Sequence, residues 1–375
     1  MRPLRKLLNA LSFIGIASCF TAPRASPYDS SVIVVTGANR GLGLAVVKHI
    51  VASSPKKATV VLCSRNSPAT RSVVDEIGHA GIRFLFEDLD LSSQESIESC
   101  AARIKDAVGF PSTLANIAAV CCPSFGAEQS RAALTEALHV NFFGPVRFAE
   151  QLGFLSESVG TICTEEASRF ERCVVNVSSG DGELKCLHSR LSSYLSGCSL
   201  PSEVIALATA LDRASQFDGI DGGTSVDELV SALTNNNQEL AIGSTPAYSA
   251  SKALLNTWTR TVAETGLLAP GVVANCVCPG DIVGSHMYSG TPGSIVCEGG
   301  SNRHTPNAPS SEGDIGRCEF ISAVSSNNSQ ALGCWDVTLS EAASDVCYLI
   351  GDTARHSGAV RTSGSFYRFR EKIPW

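Results

Sequence analysis

Charge is scarce in this chain and forms no basic stripe: 17% of its 375 residues are charged and the formal net charge is -7. Proteins that neutralise nucleic-acid phosphates gather Lys and Arg on one face, so no nucleic-acid partner is expected. No C-x-x-C pair occurs among the 15 cysteines, which removes the usual zinc spacings and leaves no metal site to expect. Nor is the chain small enough to be a disulfide scaffold. Cys63, Cys173, Cys276, Cys278 and Cys347 stand inside apolar runs and read as small core residues. Cys297, Cys318 and Cys334 lie in a polar stretch where a thiol can react. What is abundant is core material. A hydrophobic content of 44% describes a globular chain of one large domain or two ordinary ones.

Acidic residues are missing from the first 28 positions. Arg2, Arg5 and Lys6 precede an apolar run from Leu7 to Phe20, followed by small residues and Arg24. A run of about 14 residues is too short for an ordinary membrane span and fits a signal-peptide core, so no stable span is expected in the mature chain. Ala17-Ser-Cys19 serves as a small-residue cleavage site. Residues 1–30 read as a targeting leader and 31–375 as the functional domain. The run Ala17-Ser-Cys-Phe20-Thr-Ala-Pro23 resembles the signal/transit junction of proteins sent to plastids of secondary-endosymbiotic algae; a secretory or mitochondrial leader is the alternative.

The β-branched run Ser31-Val-Ile-Val-Val-Thr36 reads as a buried strand. It leads straight into Gly37-Ala-Asn39-Arg40-Gly41-Leu42-Gly43 and the helical pattern LAVVKHIV. Strand, glycine-rich turn and helix form the context in which backbone amides approach a pyrophosphate at a helix N-terminus. A second strand, Ala58 to Cys63, ends in Ser64-Arg65, where an Asp or Glu would serve NAD. Arg65 and Arg40 are two cations for a 2′-phosphate, so the expected cofactor is NADPH. A helix (Pro68 to Ala80) and a strand (Arg83 to Phe86) follow, then Asp88-Leu-Asp90-Leu91-Ser-Ser, with Ser92 or Ser93 placed to cap a helix from Gln94. Further strands are read at Leu114 to Ala119 and Cys173 to Ser179, and an amphipathic helix at Val226 to Thr234.

Chemistry concentrates in Tyr248-Ser-Ala-Ser-Lys252, inside the run PAYSASKALLNTWTRTV. Pro246 suits a first helical turn, and Ala253, Leu254, Leu255 and Trp258 continue at helical spacing. Residues four apart share a helix face, which sets the Tyr248 phenol beside the Lys252 ammonium. A cation there favours the phenolate and brings a group of ordinary pKa ~10 toward acid–base work at neutral pH.

The spacing T-G-x-x-x-G-x-G, the strand V-V-N-V-S-S ending at Ser179, and Y-S-A-S-K resemble the short-chain dehydrogenase/reductases. The long stretch between Ser179 and Tyr248, A-Y-S-A-S-K-A-L-L-N, and Asn275-Cys-Val-Cys-Pro279-Gly280 resemble the monomeric carbonyl-reductase branch, the plant menthone and salutaridine reductases in particular. So does the tail, with Ser340-Glu-Ala-Ala, Tyr348-Leu-Ile, Gly364-Ser-Phe-Tyr and Trp375. The resemblance covers about Val32 to Trp375 and breaks between Met287 and Leu339, a Gly/Ser/Asn-rich stretch read as a flexible loop replacing the family's short lid.

That resemblance implies a Rossmann-type α/β fold, a doubly wound parallel sheet in a single domain with insertions at about 180–245 and 288–339. It implies that Ser179 holds a substrate carbonyl and that Tyr248 donates a proton to the developing alkoxide. Lys252 would lower the tyrosine pKa and hold the nicotinamide ribose, and Asn141, in Val140-Asn-Phe-Phe-Gly144, would fix a water that relays protons to Lys252. Cofactor contacts fall to Gly37, Asn39, Arg40, Gly41, Leu42, Gly43, Arg65, Asp90 and Leu91 (at the adenine), Asn116, Tyr248, Lys252, Pro279 and Gly280. The activity implied is NADPH-dependent reduction of a ketone, aldehyde or quinone. A monomer is implied too, because the insertion before Tyr248, with Val226, Leu229, Val230 and Leu233, would cover the helix face through which relatives associate. One departure keeps other readings open: Asn116-Ile117-Ala-Ala119 stands where the family shows N-N-A-G. It is compatible with an NADPH-binding sensor without turnover, or with a plastid pigment reductase, a group that carries N-A-A there.

Overall fold

The computed structural model describes residues 31–53, 58–75, 77, 81–121, 127–156, 172–216, 245–282, 336–350 and 362–375. The leader, the helix read at Val226 to Thr234, the cysteines at 297, 318 and 334, and the 288–339 insertion up to residue 335 lie outside them.

Strands β1 (Val32–Thr36), β2 (Thr59–Ser64), β4 (Thr113–Asn116), β5 (Arg172–Val177) and β6 (Val272–Cys278) are buried along nearly their whole length. Such strands pack helices on both faces, which is why they read as unbroken apolar runs without alternation. With β3 (Arg83–Asp88), β9 (Ser365–Arg368) and β10 (Glu371–Ile373) they make an eight-stranded sheet in the order β10-β9-β6-β5-β4-β1-β2-β3. Every neighbouring pair is parallel except β10 against β9. The doubly wound α/β fold is therefore present, with one antiparallel edge strand added. The order reverses between β1 and β4, the crevice where such sheets bind ligands.

On one face, Val35, Val175 and Val277 meet α1 (Gly41–Ser53) and α9 (Leu339–Ile350). On the other, Val34, Leu114 and Val174 meet α3 (Gln94–Val108) and α5 (Gly144–Gln151). Ser93 caps α3, its hydroxyl accepting from Ser96 N at 3.2 Å. The helix read at 68–80 is observed as α2 (Ser67–Asp75).

A third apolar cluster lies beyond the sheet. There α4 (Ala127–Leu138), α6 (Ser189–Gly197) and α7 (Pro201–Gln216) pack on α8 (Pro246–Glu264). Val204, Leu207, Ala208 and Leu211 of α7 cluster with Ala250, Leu254 and Trp258 of α8. Every side chain from Pro246 to Thr259 is buried, which marks a helix enclosed on all sides rather than an amphipathic surface helix. Among the described residues, the helical cover of α8 thus comes from α4, α6 and α7, with α7 supplied by the first insertion.

The short parallel strands β7 (Asp281–Ile282) and β8 (Asp336–Val337) pair side by side, one ahead of the second insertion and one near its end. The nine described cysteines are all free thiols, six of them buried. No helix among the described residues is long and apolar enough to cross a membrane, and no cluster there could hold a metal ion.

Candidate active site

The carboxyl ends of the central strands gather most of the expected residues. Thr36 ends β1, and its hydroxyl accepts from the amides of Ile117 at 2.9 Å and Ala118 at 3.1 Å, tying the exit of β4 to the exit of β1. Gly37 follows in the left-handed region at φ 68°, and a Cβ there would stand 3.0 Å from Ala118 Cα. Gly43 is tighter still, since a Cβ on it would lie 2.1 Å from the Gly37 carbonyl oxygen. The turn from Gly37 to Gly43 is therefore a closed backbone loop at the N-terminus of α1, shaped to present amides to an anion. Asn39 and Leu42 are half-buried, and Arg40 stands exposed on the loop's rim.

Arg65, just past β2, is exposed as well. Asp90 folds back on its own turn, its Oδ1 accepting from the Ser92 hydroxyl at 2.6 Å and the Ser92 amide at 2.9 Å. The Ser92 hydroxyl bond holds this carboxyl below the usual range against a smaller push from burial, and the charge of Arg65 adds to the lowering. Asp88 acts elsewhere, its Oδ1 accepting from Ser67 N at 2.8 Å at the start of α2. Leu91 is buried, with its carbonyl so close to Gly144 that a Cβ on that glycine would be 2.5 Å away. Asn116 is buried in the sheet and donates to Asn176 Oδ1 of β5 at 2.9 Å, a bond that ties two strands together. Ile117 packs into the apolar cluster shared with α1 and α9. Pro279 and Gly280 follow β6, with Gly280 at φ 83°.

The four expected catalytic residues, Asn141, Ser179, Tyr248 and Lys252, come from three elements. Asn141 sits in a π-helical turn, His139–Phe143, that joins α4 to α5. Such turns insert one extra residue and re-aim a side chain. The Asn141 amide grips Val120 in both directions, accepting from its N–H and donating to its carbonyl, each at 2.9 Å. It also donates to Ser251 Oγ at 3.0 Å, and Ser251 in turn donates to the Tyr248 carbonyl at 2.7 Å. Asn141 therefore fastens the exit of β4 to the tyrosine helix.

Tyr248 and Lys252 lie one turn apart on α8, with Lys252 Nζ 5.6 Å from the Tyr248 ring centroid. Nζ donates to the Val177 carbonyl at the end of β5, 2.8 Å away. Burial lowers the Lys252 pKa to about 8. Two residues beyond Val177, Ser179 opens a 3-10 turn, Gly180–Gly182, and its hydroxyl accepts from Asp181 N at 3.2 Å. That turn leans on α8: a Cβ on Gly182 would stand 2.8 Å from the Lys252 Cβ and carbonyl carbon, and Asn256 Nδ2 donates to Gly182 O at 3.1 Å. Thr36 and Asn256 stand inside motifs read from the sequence, where neither is assigned a role, and Gly182 belongs to none of them. For Gly182 the available signal was the repeated glycine of Ser179-Gly-Asp-Gly182.

A family model for short chain dehydrogenases matches residues 31–189. "Short-chain dehydrogenase/reductase 1" of Saponaria officinalis is 28% identical over 268 residues, covering 66% of this chain and 80% of that protein. A (+)-neomenthol dehydrogenase of Arabidopsis thaliana is 27% identical over 275 residues, covering 66% of this chain and 81% of its own length. In fold, the structure of salutaridine reductase from Papaver somniferum is similar at a TM-score of 0.57 and 20% identity, covering 90% of this chain and 99% of that one. Residues 31–189 thus match the short-chain dehydrogenase model, two relatives at 27–28% identity extend the likeness over about two thirds of the chain, and the doubly wound sheet is the fold shared with the solved reductase structure.

Proposed function

We propose that this protein reduces a ketone, aldehyde or quinone carbonyl to the alcohol, using NADPH, with Tyr248 as proton donor. The observation that carries the reading is the buried pair on α8, a phenol one turn from an ammonium whose pKa burial brings to about 8. Below that pH the ammonium is charged, so it favours the phenolate and eases release of the Tyr248 proton. Ser179, on the turn pressed against α8, is placed to hold the carbonyl oxygen as charge develops on it. Asn141 keeps the tyrosine helix in register with the exit of β4. NADPH, when bound, supplies the hydride.

The chain's residues fit that cofactor. The glycine loop packs on itself and on Ala118, where a Cβ at Gly37 or Gly43 would meet backbone, so its amides can face a pyrophosphate, and Arg40 on the loop and Arg65 just past β2 are both exposed for a 2′-phosphate. Asp90 and Leu91 would flank the adenine, and Asn116, Lys252, Pro279 and Gly280 the nicotinamide side. The substitution at Ile117, which favoured a sensor without turnover, is taken up as ordinary packing. We extend the reading to a monomer, supported by the cover that α7 gives the outer face of α8.

The test is a panel of ketones, aldehydes and quinones assayed by NADPH oxidation, with Tyr248→Phe as control. Turnover by the wild type that drops at least ~10²-fold in the variant, with NADPH still bound, is the expected result. NADPH binding without consumption of any carbonyl would sink the reading in favour of a sensor.

A further inference from the structure

The turn that carries Ser179 is gripped from a second side, by a residue 185 positions away from its partner in sequence. Arg368, in β9, reaches across the ends of β5 and β6 so that a Cβ on Gly180 would stand 2.8 Å from its Nη2. The same nitrogen donates to Glu183 Oε1, and both side chains are buried, at 7% and 4% exposure. Glu183 also takes Lys185 Nζ on its other oxygen at 2.7 Å, and its amide donates to the Gly180 carbonyl at 3.0 Å. Gly180 thus sits against the guanidinium and Gly182 against the Lys252 backbone. Neither position has space for a side chain without movement.

We propose that the Arg368–Glu183 pair is a positioning device for the Ser179 hydroxyl. It clamps the Gly180–Gly182 turn against α8 and so sets where Ser179 stands relative to Tyr248 and Lys252. The inference rests on the carbonyl-reductase reading above. Stability alone gives the pair little reason to exist. Burying two charges costs desolvation, and an apolar pair of similar volume is commonly as stable or more so. An apolar pair, however, lacks direction. A guanidinium aimed at one carboxylate oxygen fixes the turn to a fraction of an ångström, which is the tolerance a reacting constellation needs.

Three variants test this: Arg368→Met, Glu183→Leu, and the two together. Glu183→Leu strands the buried guanidinium and Arg368→Met leaves Glu183 with Lys185 alone, and either change can lose stability for that reason. The double variant removes both charges, and its thermal midpoint should return toward the wild type. Its kcat should stay ~10²-fold down, the scale of a displacement near 1 Å, while NADPH affinity holds within a factor of two. A double variant that recovers wild-type kcat along with stability would overturn the positioning role and leave a structural fastening. Hydrogen exchange over residues 178–186 reads the grip without any turnover. It should quicken in the double variant while the α8 amides stay protected, and unchanged exchange would also overturn the inference. A wild type inactive on every carbonyl would defeat the functional reading on its own, and the exchange measurement would still decide whether the pair holds the turn.

Discussion

In Lys252, function and stability pull in opposite directions. Its ammonium is buried, bonded to the Val177 carbonyl at 2.8 Å, and burial lowers its pKa to about 8. The same amine in an unfolded chain titrates near ~10.4. The folded protein therefore gives up this proton first. The penalty of holding the charge is present in full below about pH 8 and fades as pH rises toward the unfolded value, because in that window the unfolded chain binds more protons. Lys252→Met keeps an unbranched stem and removes the charge. Each pH unit inside the window is worth roughly 1.4 kcal/mol, so going from pH 7 to about pH 9.5 should favour the wild type over the variant by about 2 kcal/mol. At pH 7 the relief of a buried charge is set against a Val177 carbonyl left unpaired, worth ~1–3 kcal/mol. The variant should then be within about 2 kcal/mol of the wild type at pH 7, though inactive. Urea unfolding of both proteins without cofactor, followed by tryptophan fluorescence across that pH range, measures the difference directly. A stability difference that stays flat with pH would refute the reasoning, because it would mean that the ammonium is not held at a penalty.

Gly43→Ala places a Cβ 2.1 Å from the Gly37 oxygen, where ordinary contact starts at 3.4 Å, so backbone must yield by 3.4 − 2.1 = 1.3 Å. Losing two amide bonds to a phosphate, at ~1.5–3 kcal/mol each, should weaken NADPH by at least ~10²-fold in calorimetric titration; an unchanged Kd would contradict the loop's assignment. Arg65→Asp should weaken NADPH and relieve the exclusion of NADH, and equal use of both cofactors by the wild type would remove the basis for expecting a 2′-phosphate site. Carbonyl reduction should decline as pH rises through about 8, where Lys252 gives up its charge; a rate still climbing at pH 9 would exclude that group. Light scattering on protein lacking residues 1–30 should return the mass of one chain at micromolar concentration, and a stable dimer would mean that α7 does not close the outer face of α8.

The legible parts of the sequence are those whose cause is local. A β-branched run meeting three glycines and a helix needs only neighbouring residues to be understood, and Tyr248 and Lys252 share a face by spacing alone. Cover for α8 is expected from the pattern at Val226 to Thr234, outside the described residues, whereas the described helices that pack there are α4, α6 and α7. The signal for α7 is present in Pro201, Val204, Leu207, Ala208 and Leu211 at helical spacing, within a stretch whose length and polarity mask it. Arg368 and Glu183 cannot be paired from sequence, because only the sheet order brings β9 beside β6 and so close to the turn after β5. The antiparallel strand β10 is three residues long and mostly exposed, which leaves it no pattern to read. Likewise the π-helical turn at Asn141 has no compositional mark distinguishing it from ordinary helix.

The free thiols make the molecule a recorder of its own opening. Burial pushes Cys276 and Cys347 up to about 12, and a hydrogen bond with Cys100 together with burial pushes Cys63 up as well. A thiol at about 12 is thiolate in only ~10⁻⁵ of molecules at neutral pH, and the thiolate is the reactive form. Alkylation at the buried Cys63 and Cys276 therefore waits for the surrounding layer to part, and at the half-buried Cys347 it is slowed by the scarcity of thiolate. Cys63 lies between β2 and α3, Cys347 faces α1 through the Val46 carbonyl, and Cys276 lies under α8 against Thr259. Site-resolved labelling rates at Cys63 and Cys276 would thus read two separate opening equilibria in one experiment, and comparing them with and without NADPH would show which layer the cofactor locks.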